Sequence, residues 1–497
     1  MLILTLLVLQ ILFLIAAFLY LGKYSPYLFA CTSILALILV FVLMNRPLNP
    51  EIQISWIVII LLFPILGTLF YLFVDMQIGY RLMNKRLQAL IQQTKHYAPS
   101  NPDVIRQLQE KEPGMVNLAA YMMEHGNFPM YQNTSVQYFP SGEAKFEELL
   151  SQLSQAKHFI FLEYFIISEG YMWGRILKVL EQKVKEGVEV RVMYDGLCAV
   201  VLLPYQYPAA MQKLGIQCKM FAPVRVAVST HYNNRDHRKI VVIDGQTAFT
   251  GGVNLSDEYI NRRVLHGHWK DTAVMLQGEA VQSFTLMFLQ MWNINEKTEN
   301  YEKYLTISYP QLKDTRGYVM PYGDSPLDDE NVGEMVYMDI LNRAERYVHI
   351  MTPYLILDHE MITALTFAAK RGVDVVLILP HIPDKKFAFA LAKNHYPELI
   401  RAGVHIYEYT PGFVHAKMFV SDDIKAVVGT INLDYRSLYL HFECATYLYD
   451  TPAVLTIEQD MQDTLSKSQQ ITLLDCKHVR LTTRLLGKFL KLIAPLM

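Results

Sequence analysis

Cysteine is scarce in this chain, and the five present (Cys31, Cys198, Cys218, Cys444 and Cys476) are scattered. None form a C-x-x-C, so neither a disulfide framework nor a zinc site is expected, and a reducing compartment is the simpler setting. Charge is also sparse. Asp and Glu number 47 against 45 Lys and Arg, the charged fraction is 19%, and the formal net charge is −2. This disfavours broad electrostatic binding of nucleic acid, although a local basic groove stays open. The first residues lack both the basic cluster and the small-residue cleavage site of a secretory signal.

What the chain has in quantity is apolar residues, at 52% of 497. Three N-terminal runs carry no charge: Met1 to Leu21, Tyr27 to Met44 and Ile54 to Val74. Each is near the ~20 residues needed to cross a ~30 Å hydrocarbon core, so residues 1–75 are expected to hold two to three transmembrane helices. Pro64 and Gly67 are tolerable inside such a helix. Arg81, Lys85, Arg86 and Lys95 follow the third run, whereas the loop before it carries only Arg46 and Glu51. The positive-inside rule then places everything after Val74 in the cytoplasm, with the N-terminus outside and Lys23 inside.

Residues 76–130 are polar and broken by Pro99, Pro102, Pro113 and Gly114, and read as a juxtamembrane connector. A globular α/β pattern follows. Glu147 to Ala156 has helical character, Phe159 to Ile167 reads as a buried strand, Trp173 to Lys185 as a helix and Val188 to Tyr194 as a strand. The order returns with the strand-like run after Ala344, a helix over Met361 to Lys370 and a strand over Val373 to Leu379. Gly187 and Gly372 precede the second strand of each set. The expected body is two β-α-β-rich halves, 131–294 and 335–497, joined by a polar connection over 295–334.

Each half carries one copy of H-x-K-x4-D. His237, Lys239 and Asp244 lie in HRKIVVIDGQTAFTGGVN (His237 to Asn254), and His415, Lys417 and Asp422 in HAKMFVSDDIKAVVGTIN (His415 to Asn432). One copy is a weak signal, but two in register over eighteen positions indicate a duplicated site. Strand alternation places His and Lys on one face. An imidazole can act as nucleophile or proton carrier near neutral pH, and an ammonium can meet the charge on phosphoryl oxygens. Two such sets facing one phosphorus would need no metal. A lone strand histidine is usually an ordinary hydrogen-bonded residue, and the matched duplication argues otherwise for these two. Asp244 and Asp422 fall at turns, where Asp is common for local hydrogen bonding, so a structural role competes with a chemical one. Asn254 and Asn432 follow glycine-rich turns and either donate to phosphate or shape the turn.

The paired motifs and their G-x-x-N tails resemble the phospholipase D superfamily. Finer features are similar to its bacterial cardiolipin synthase branch: the apolar run Ser55 to Phe73, LEYFII (Leu162 to Ile167), NNRDHRKIVVIDG (Asn233 to Gly245), HWKDTAV (His268 to Val274), TPY (Thr352 to Tyr354) and NLDYRSLYLHFE (Asn432 to Glu443). That family usually shows two membrane spans, so the run Met1 to Leu21 is a departure. The resemblance implies a duplicated phospholipase D-like sandwich, two halves around one shared site, preceded by N-terminal transmembrane helices. It also implies transfer of a phosphatidyl group between two phosphatidylglycerol molecules through a phosphohistidine, with no cofactor, metal or nucleic acid, at the bacterial cell membrane. His237 is expected to be the nucleophile and His415 the acid and base, with Asp271 and Glu443 orienting the two histidines. A hydrolase of the same fold and a non-catalytic membrane scaffold are the alternatives, and the intact pair of motifs argues against the scaffold. The stretch Lys477 to Leu492, with Arg480, Arg484, Lys488 and Lys491 among leucines, reads as a terminal helix, either packed on the body or lying on anionic lipid.

Overall fold

The computed structural model describes residues 25–76, 78–223, 234–296, 300–312, 315–328 and 330–496, with scattered positions between 8 and 20. Most of the apolar run Met1 to Leu21 lies outside the described residues, as does Asn233. The chain divides into two compact units, Met1–Arg81 with Lys488–Met497, and Leu82–Gly487.

In the first unit, α1 spans Ser25–Met44, α2 Pro50–Leu62 and α3 Leu66–Met76. Asn49 starts α2 by accepting the Glu51 N–H at 2.9 Å, with Pro50 at a first-turn position where its missing N–H costs nothing. The run expected as one helix over Ile54 to Val74 is interrupted between Leu62 and Leu66, at Pro64. It also reverses direction. The Trp56 ring lies 5.5 Å from that of Phe70 and 5.2 Å from that of Tyr71, whereas fourteen residues of unbroken helix would separate them by about 21 Å. Gly67 makes the close approach possible, since a Cβ there would sit 2.4 Å from the Ile59 carbonyl oxygen. With 13 and 11 residues, α2 and α3 extend about 20 Å and 17 Å, short of a ~30 Å apolar core. Among the described residues, no helix is long and apolar enough to cross a membrane.

The second unit contains two mixed sheets. The first orders β1-β8-β6-β5-β2-β3-β4, from β1 (Thr134–Phe139), β2 (Phe159–Tyr164), β3 (Glu189–Asp195), β4 (Gln217–Phe221), β5 (Lys239–Ile243), β6 (Thr247–Gly251) and β8 (Ala273–Gly278). Four short strands stand apart from the large sheets, β7 (His268–Lys270) beside β14 (Gly412–Val414) and β11 (Leu355–Ile356) beside β17 (Leu433–Asp434). The second sheet orders β19-β13-β12-β10-β15-β16-β18-β9, from β9 (Tyr318–Asp324), β10 (Tyr347–Met351), β12 (Asp374–Pro380), β13 (His405–Tyr409), β15 (Met418–Ser421), β16 (Lys425–Gly429), β18 (Glu443–Tyr449) and β19 (Ser468–Ile471). The series β5-β2-β3-β4 and β15-β10-β12-β13 are matched: three parallel strands, with the motif strand antiparallel to the first. The duplication read in the spelling is thus a duplication of topology.

Both motif strands are buried along their whole length, and mostly apolar, because both of their faces are covered. Ile240 and Val242 share one core with Met418 and Val420 of the other half, while Val241 and Ile243 pack into a second core with the helix Tyr171–Lys185 of their own half. The two sheets share one core, into which the helices Val281–Trp292 and Ala453–Leu465 also pack. Two expected connecting segments contribute to this body. Val104, Leu108 and Met115, from residues 76–130, are buried in the core of the second half, and β9 forms within 295–334 and pairs with β18. Its sequence YVMPYGD is mostly apolar, and its polar flanks had masked it. The terminal helix Leu481–Lys491 leaves Leu481, Leu485 and Leu486 exposed, while Gly487 is buried against Ala390 and Asn394.

Candidate active site

Main-chain pairing across the halves places the two motifs. The His237 N–H donates to the Phe442 carbonyl at 2.9 Å, and the Phe442 N–H to the Arg235 carbonyl at 2.8 Å. In the other half, β14 (Gly412–Val414) runs parallel to β7, and the His415 N–H donates to the Lys270 carbonyl at 2.7 Å. Each histidine is therefore fastened by its backbone to the opposite half.

The side chains repeat this exchange. His237 Nδ1 lies 2.9 Å from both oxygens of Glu443, and His415 Nδ1 lies 2.7 Å from Oδ2 of Asp271. Thr430 donates its hydroxyl to Glu443, and the Thr272 N–H donates to Asp271 Oδ1 at 2.8 Å. A neutral imidazole that gives its Nδ1–H to a carboxylate carries its lone pair on Nε2, ready to attack or to take a proton. Burial, opposed by Glu443, pushes His237 well below the ordinary imidazole range. Burial and then the Lys417 ammonium bring His415 down to about 4. Burial by itself would raise both carboxyls, but the histidine beside each holds it below its usual value. Burial thus favours the neutral imidazoles, and the contacts with them favour the ionised carboxylates.

Lys239 Nζ donates to the His237 carbonyl at 2.5 Å, and Lys417 Nζ donates to the His415 carbonyl and lies 2.9 Å from His415 Nδ1. Burial lowers Lys239 to about 8 and Lys417 to about 7, against the pull of Glu443 and Asp271. Lys239 also bears on Lys417 and His415, so the two sets share one electrostatic neighbourhood. Arg238, between His237 and Lys239, is paired instead with Glu163 at 2.6 Å and Asp236 at 3.1 Å, as alternation requires. Aromatic rings wall the histidines. Phe165 lies 4.9 Å from His237, while Tyr259 and Trp269 lie 5.3 and 5.5 Å from His415, centroid to centroid.

The structure thus brings together His237, Lys239, Glu443, His415, Lys417 and Asp271. It does not bring Asp244 and Asp422 to them. Those two sit beyond the far ends of β5 and β15 with φ of +52° and +58°. Asp244 accepts the N–H groups of Lys157, His158 and Phe159 at 2.7–2.8 Å, and Asp422 those of Glu345, Arg346 and Tyr347 at 2.8–3.0 Å. Each carboxylate ties the end of a motif strand to the start of its antiparallel neighbour. Asn254 is fully engaged, accepting the Ile166 N–H at 3.0 Å and donating to Tyr259 Oη at 2.7 Å, whereas Asn432 Oδ1 is buried without a partner.

Two further residues adjoin the site without belonging to the repeated motif. Asp195, fully buried at the end of β3, accepts the Asp236 N–H at 3.0 Å and so holds the residue before His237; burial raises it to about 7. His441 is 8% exposed, with its ring 5.5 Å from that of His237 and its Nδ1 3.7 Å from Glu443 Oε1, and neither nitrogen has a hydrogen-bond partner among the described residues. With His237 and Glu443 it forms a donor set within 4.8 Å that suits a metal ion, although His237 and Thr430 already occupy Glu443. Its only sequence signal was a histidine two places before Glu443.

A family described as "Cardiolipin synthase, PLD-like domain" matches residues 149–292 and 337–465, and one described as "Phospholipase_D-nuclease N-terminal" matches 34–74. The chain is 55% identical to an uncharacterized protein of Streptococcus mutans over 92% of this chain and 99% of that one. It is 32% identical to a cardiolipin synthase of Halalkalibacterium halodurans, covering 92% and 91%. A cardiolipin synthase 2 of Bacillus cereus is 33% identical, covering 92% and 89%. Among solved structures, a phosphatidylserine synthase of Haemophilus influenzae superposes with a TM-score of 0.59 at 14% identity, over 78% of this chain and all of that one, which establishes the shared fold.

Proposed function

The chain belongs to the cardiolipin synthases of the phospholipase D superfamily and is a phosphatidyltransferase, and from that premise we propose that it joins two phosphatidylglycerol molecules into cardiolipin and glycerol. The observation that carries this reading is the pair of histidine–carboxylate contacts, each crossing between the halves.

In the proposed sequence His237 Nε2 attacks the donor phosphorus while its Nδ1–H stays donated to the Glu443 carboxylate. Glu443 grips this imidazole with both oxygens and is itself held by Thr430, which suits the ring that must carry a covalent phosphatidyl group. His415 then serves as acid and base. It protonates the departing glycerol oxygen, then removes a proton from the hydroxyl of the second phosphatidylglycerol, which attacks the phosphohistidine. An anionic phosphodiester beside His415 raises its proton affinity from the low resting value, so that substrate itself prepares the acid. Lys239 and Lys417 neutralise the charge on the non-bridging oxygens. Asp244 and Asp422 act as anchors of the two motif strands, and Asn254 as a brace.

The enzyme is proposed to sit at the bacterial cell membrane. The uncharged N-terminal runs and the match over 34–74 support this, with α2 and α3 entering and leaving on one side. The catalytic body would then be cytoplasmic.

His237→Ala and His415→Ala are each expected to abolish product in membranes supplied with phosphatidylglycerol. Thin-layer chromatography reads the reaction directly: cardiolipin with glycerol supports transfer, while phosphatidic acid alone replaces it with hydrolysis. Substantial activity in either single variant would overturn the shared site.

A further inference from the structure

Between β1 and β18 the described residues include eleven large apolar side chains that are exposed, and nine of them lie at one edge of the molecule. The edge is the one that holds the active site. Leu197, Val200, Val201, Leu202 and Tyr205 follow the carboxyl end of β3, in a stretch with no charged side chain from Leu197 to Gln212. Val264 and Leu265 lie just before β7, and Ile382 and Phe387 just after β12. The other two, Leu214 and Phe367, are at the opposite edge, ahead of β4 and β12.

Each group adjoins one histidine. Phe165 flanks His237, and its carbonyl accepts from Cys198 Sγ at 2.9 Å, at the root of the first lip. On the other side, the His266 ring lies 6.4 Å from Trp269, which flanks His415. The Ile382 N–H donates to the Gly412 carbonyl at 3.3 Å, at the start of the strand leading to His415. Val201 is 79% exposed and Val264 73%, values that a soluble body avoids for clustered aliphatic residues. Exposed cations accompany the second lip: Arg262 and Arg263 before Val264, and Lys385 and Lys386 before Phe387.

We infer that these two lips dock the catalytic body on the surface of a bilayer containing anionic lipid, with Val200 and Val201 on one side of the site and Val264, Leu265 and Phe387 on the other. The inference rests on the phosphatidyl-transfer reading for its purpose. A phosphodiester must reach buried imidazoles while its acyl chains stay in the membrane, so the membrane surface has to meet the mouth of the site. Apolar side chains on both sides of the mouth, with four cations beside one of them, match that surface in hydrophobicity and in charge.

The test measures contact, not catalysis, so that it can fail separately from the functional reading. Val201→Trp, Leu265→Trp and the far-edge Phe367→Trp are made in the full chain and reconstituted in phosphatidylglycerol–phosphatidylcholine vesicles with brominated acyl chains. The fluorescence added over the parent chain is then recorded. Docking predicts at least twofold quenching by brominated lipid at positions 201 and 265, with little quenching at 367. Equal quenching at all three positions overturns the proposal. Shielding of 201 and 265 from aqueous acrylamide without quenching by brominated lipid also overturns it, and assigns the lips to a protein partner or a second copy. Absence of cardiolipin formation by the parent chain, with the quenching pattern intact in the variants, would refute the transfer reading alone.

Discussion

Beside His237, Glu443 is held from a neighbouring side chain, the hydroxyl of Thr430. Beside His415, the further partner of Asp271 among the described residues is the main-chain N–H of Thr272, and the residue corresponding to Thr430 is Gly252, each coming directly after a glycine of the motif tail. The glycine is required there. A Cβ at position 252 would sit 2.0 Å from Asp271 Oδ1, so the shorter carboxylate occupies the space that a side chain fills in the other half. Duplication has kept the histidine–carboxylate contact and let its support diverge. The half with the doubly gripped imidazole is the one proposed to carry the covalent intermediate.

Several substitutions break or sharpen this contrast. The largest effect is expected from Glu443→Gln and Asp271→Asn, each lowering turnover by about 10³-fold with KM little changed, because the imidazole loses the partner that fixes its tautomer. Steady-state kinetics on detergent-solubilised enzyme reads this, and a loss below tenfold in either would remove the orienting role. Gly252→Ala should follow at about 10²-fold, by displacing Asp271 from His415. Thr430→Ala, which removes one hydrogen bond and adds no bulk, should cost about tenfold. If the two effects are equal, the halves are supported alike.

Asp244→Ala and Asp422→Ala should lower stability by about 2–3 kcal/mol, seen as earlier thermal unfolding, since each strands three main-chain donors. Turnover per folded molecule should stay within about threefold of the parent. The smallest effect concerns pH. Lys417, at about 7, should lose its proton before Lys239, at about 8, so KM for an anionic phospholipid should rise a few-fold, by about 1 kcal/mol, between pH 7 and 9. Stability should move the other way. Both folded values lie below the unfolded lysine value, so above pH 7 the unfolded chain binds more protons, and raising the pH favours the folded state. Parallel KM and melting measurements across that range check both signs.

The sequence displayed the parts of this site that depend on local spelling. His and Lys two apart on a strand, the copy in register, the turn-forming Asp and the alternation that turns Arg238 away are all consequences of short-range geometry. The exchange of carboxylates was not legible from spacing. His237 and Glu443 are 206 positions apart, and His415 and Asp271 are 144, so their meeting depends on how two sheets stack. Glu443 and Asp271 were reached only through family resemblance. Asp195 lies outside the motif stretches, and His441 lies within the family-like stretch Asn432 to Glu443 with no repeated counterpart to single it out. In the N-terminal unit, hydropathy read Ile54 to Val74 as one segment because it counts apolar residues and is blind to the reversal that Pro64 and Gly67 permit.

The swap of main chain and carboxylate between halves bears on ancestry. Either half alone would present a histidine and a lysine with no carboxylate behind the ring, and with the flanking strand of its histidine unpaired. A forerunner encoding a single half could have built a competent site only by pairing with an identical copy about a twofold axis, each lending the other its acid. Fusion into one chain would have freed the copies to differ, and Gly252 opposite Thr430 is a mark of that freedom.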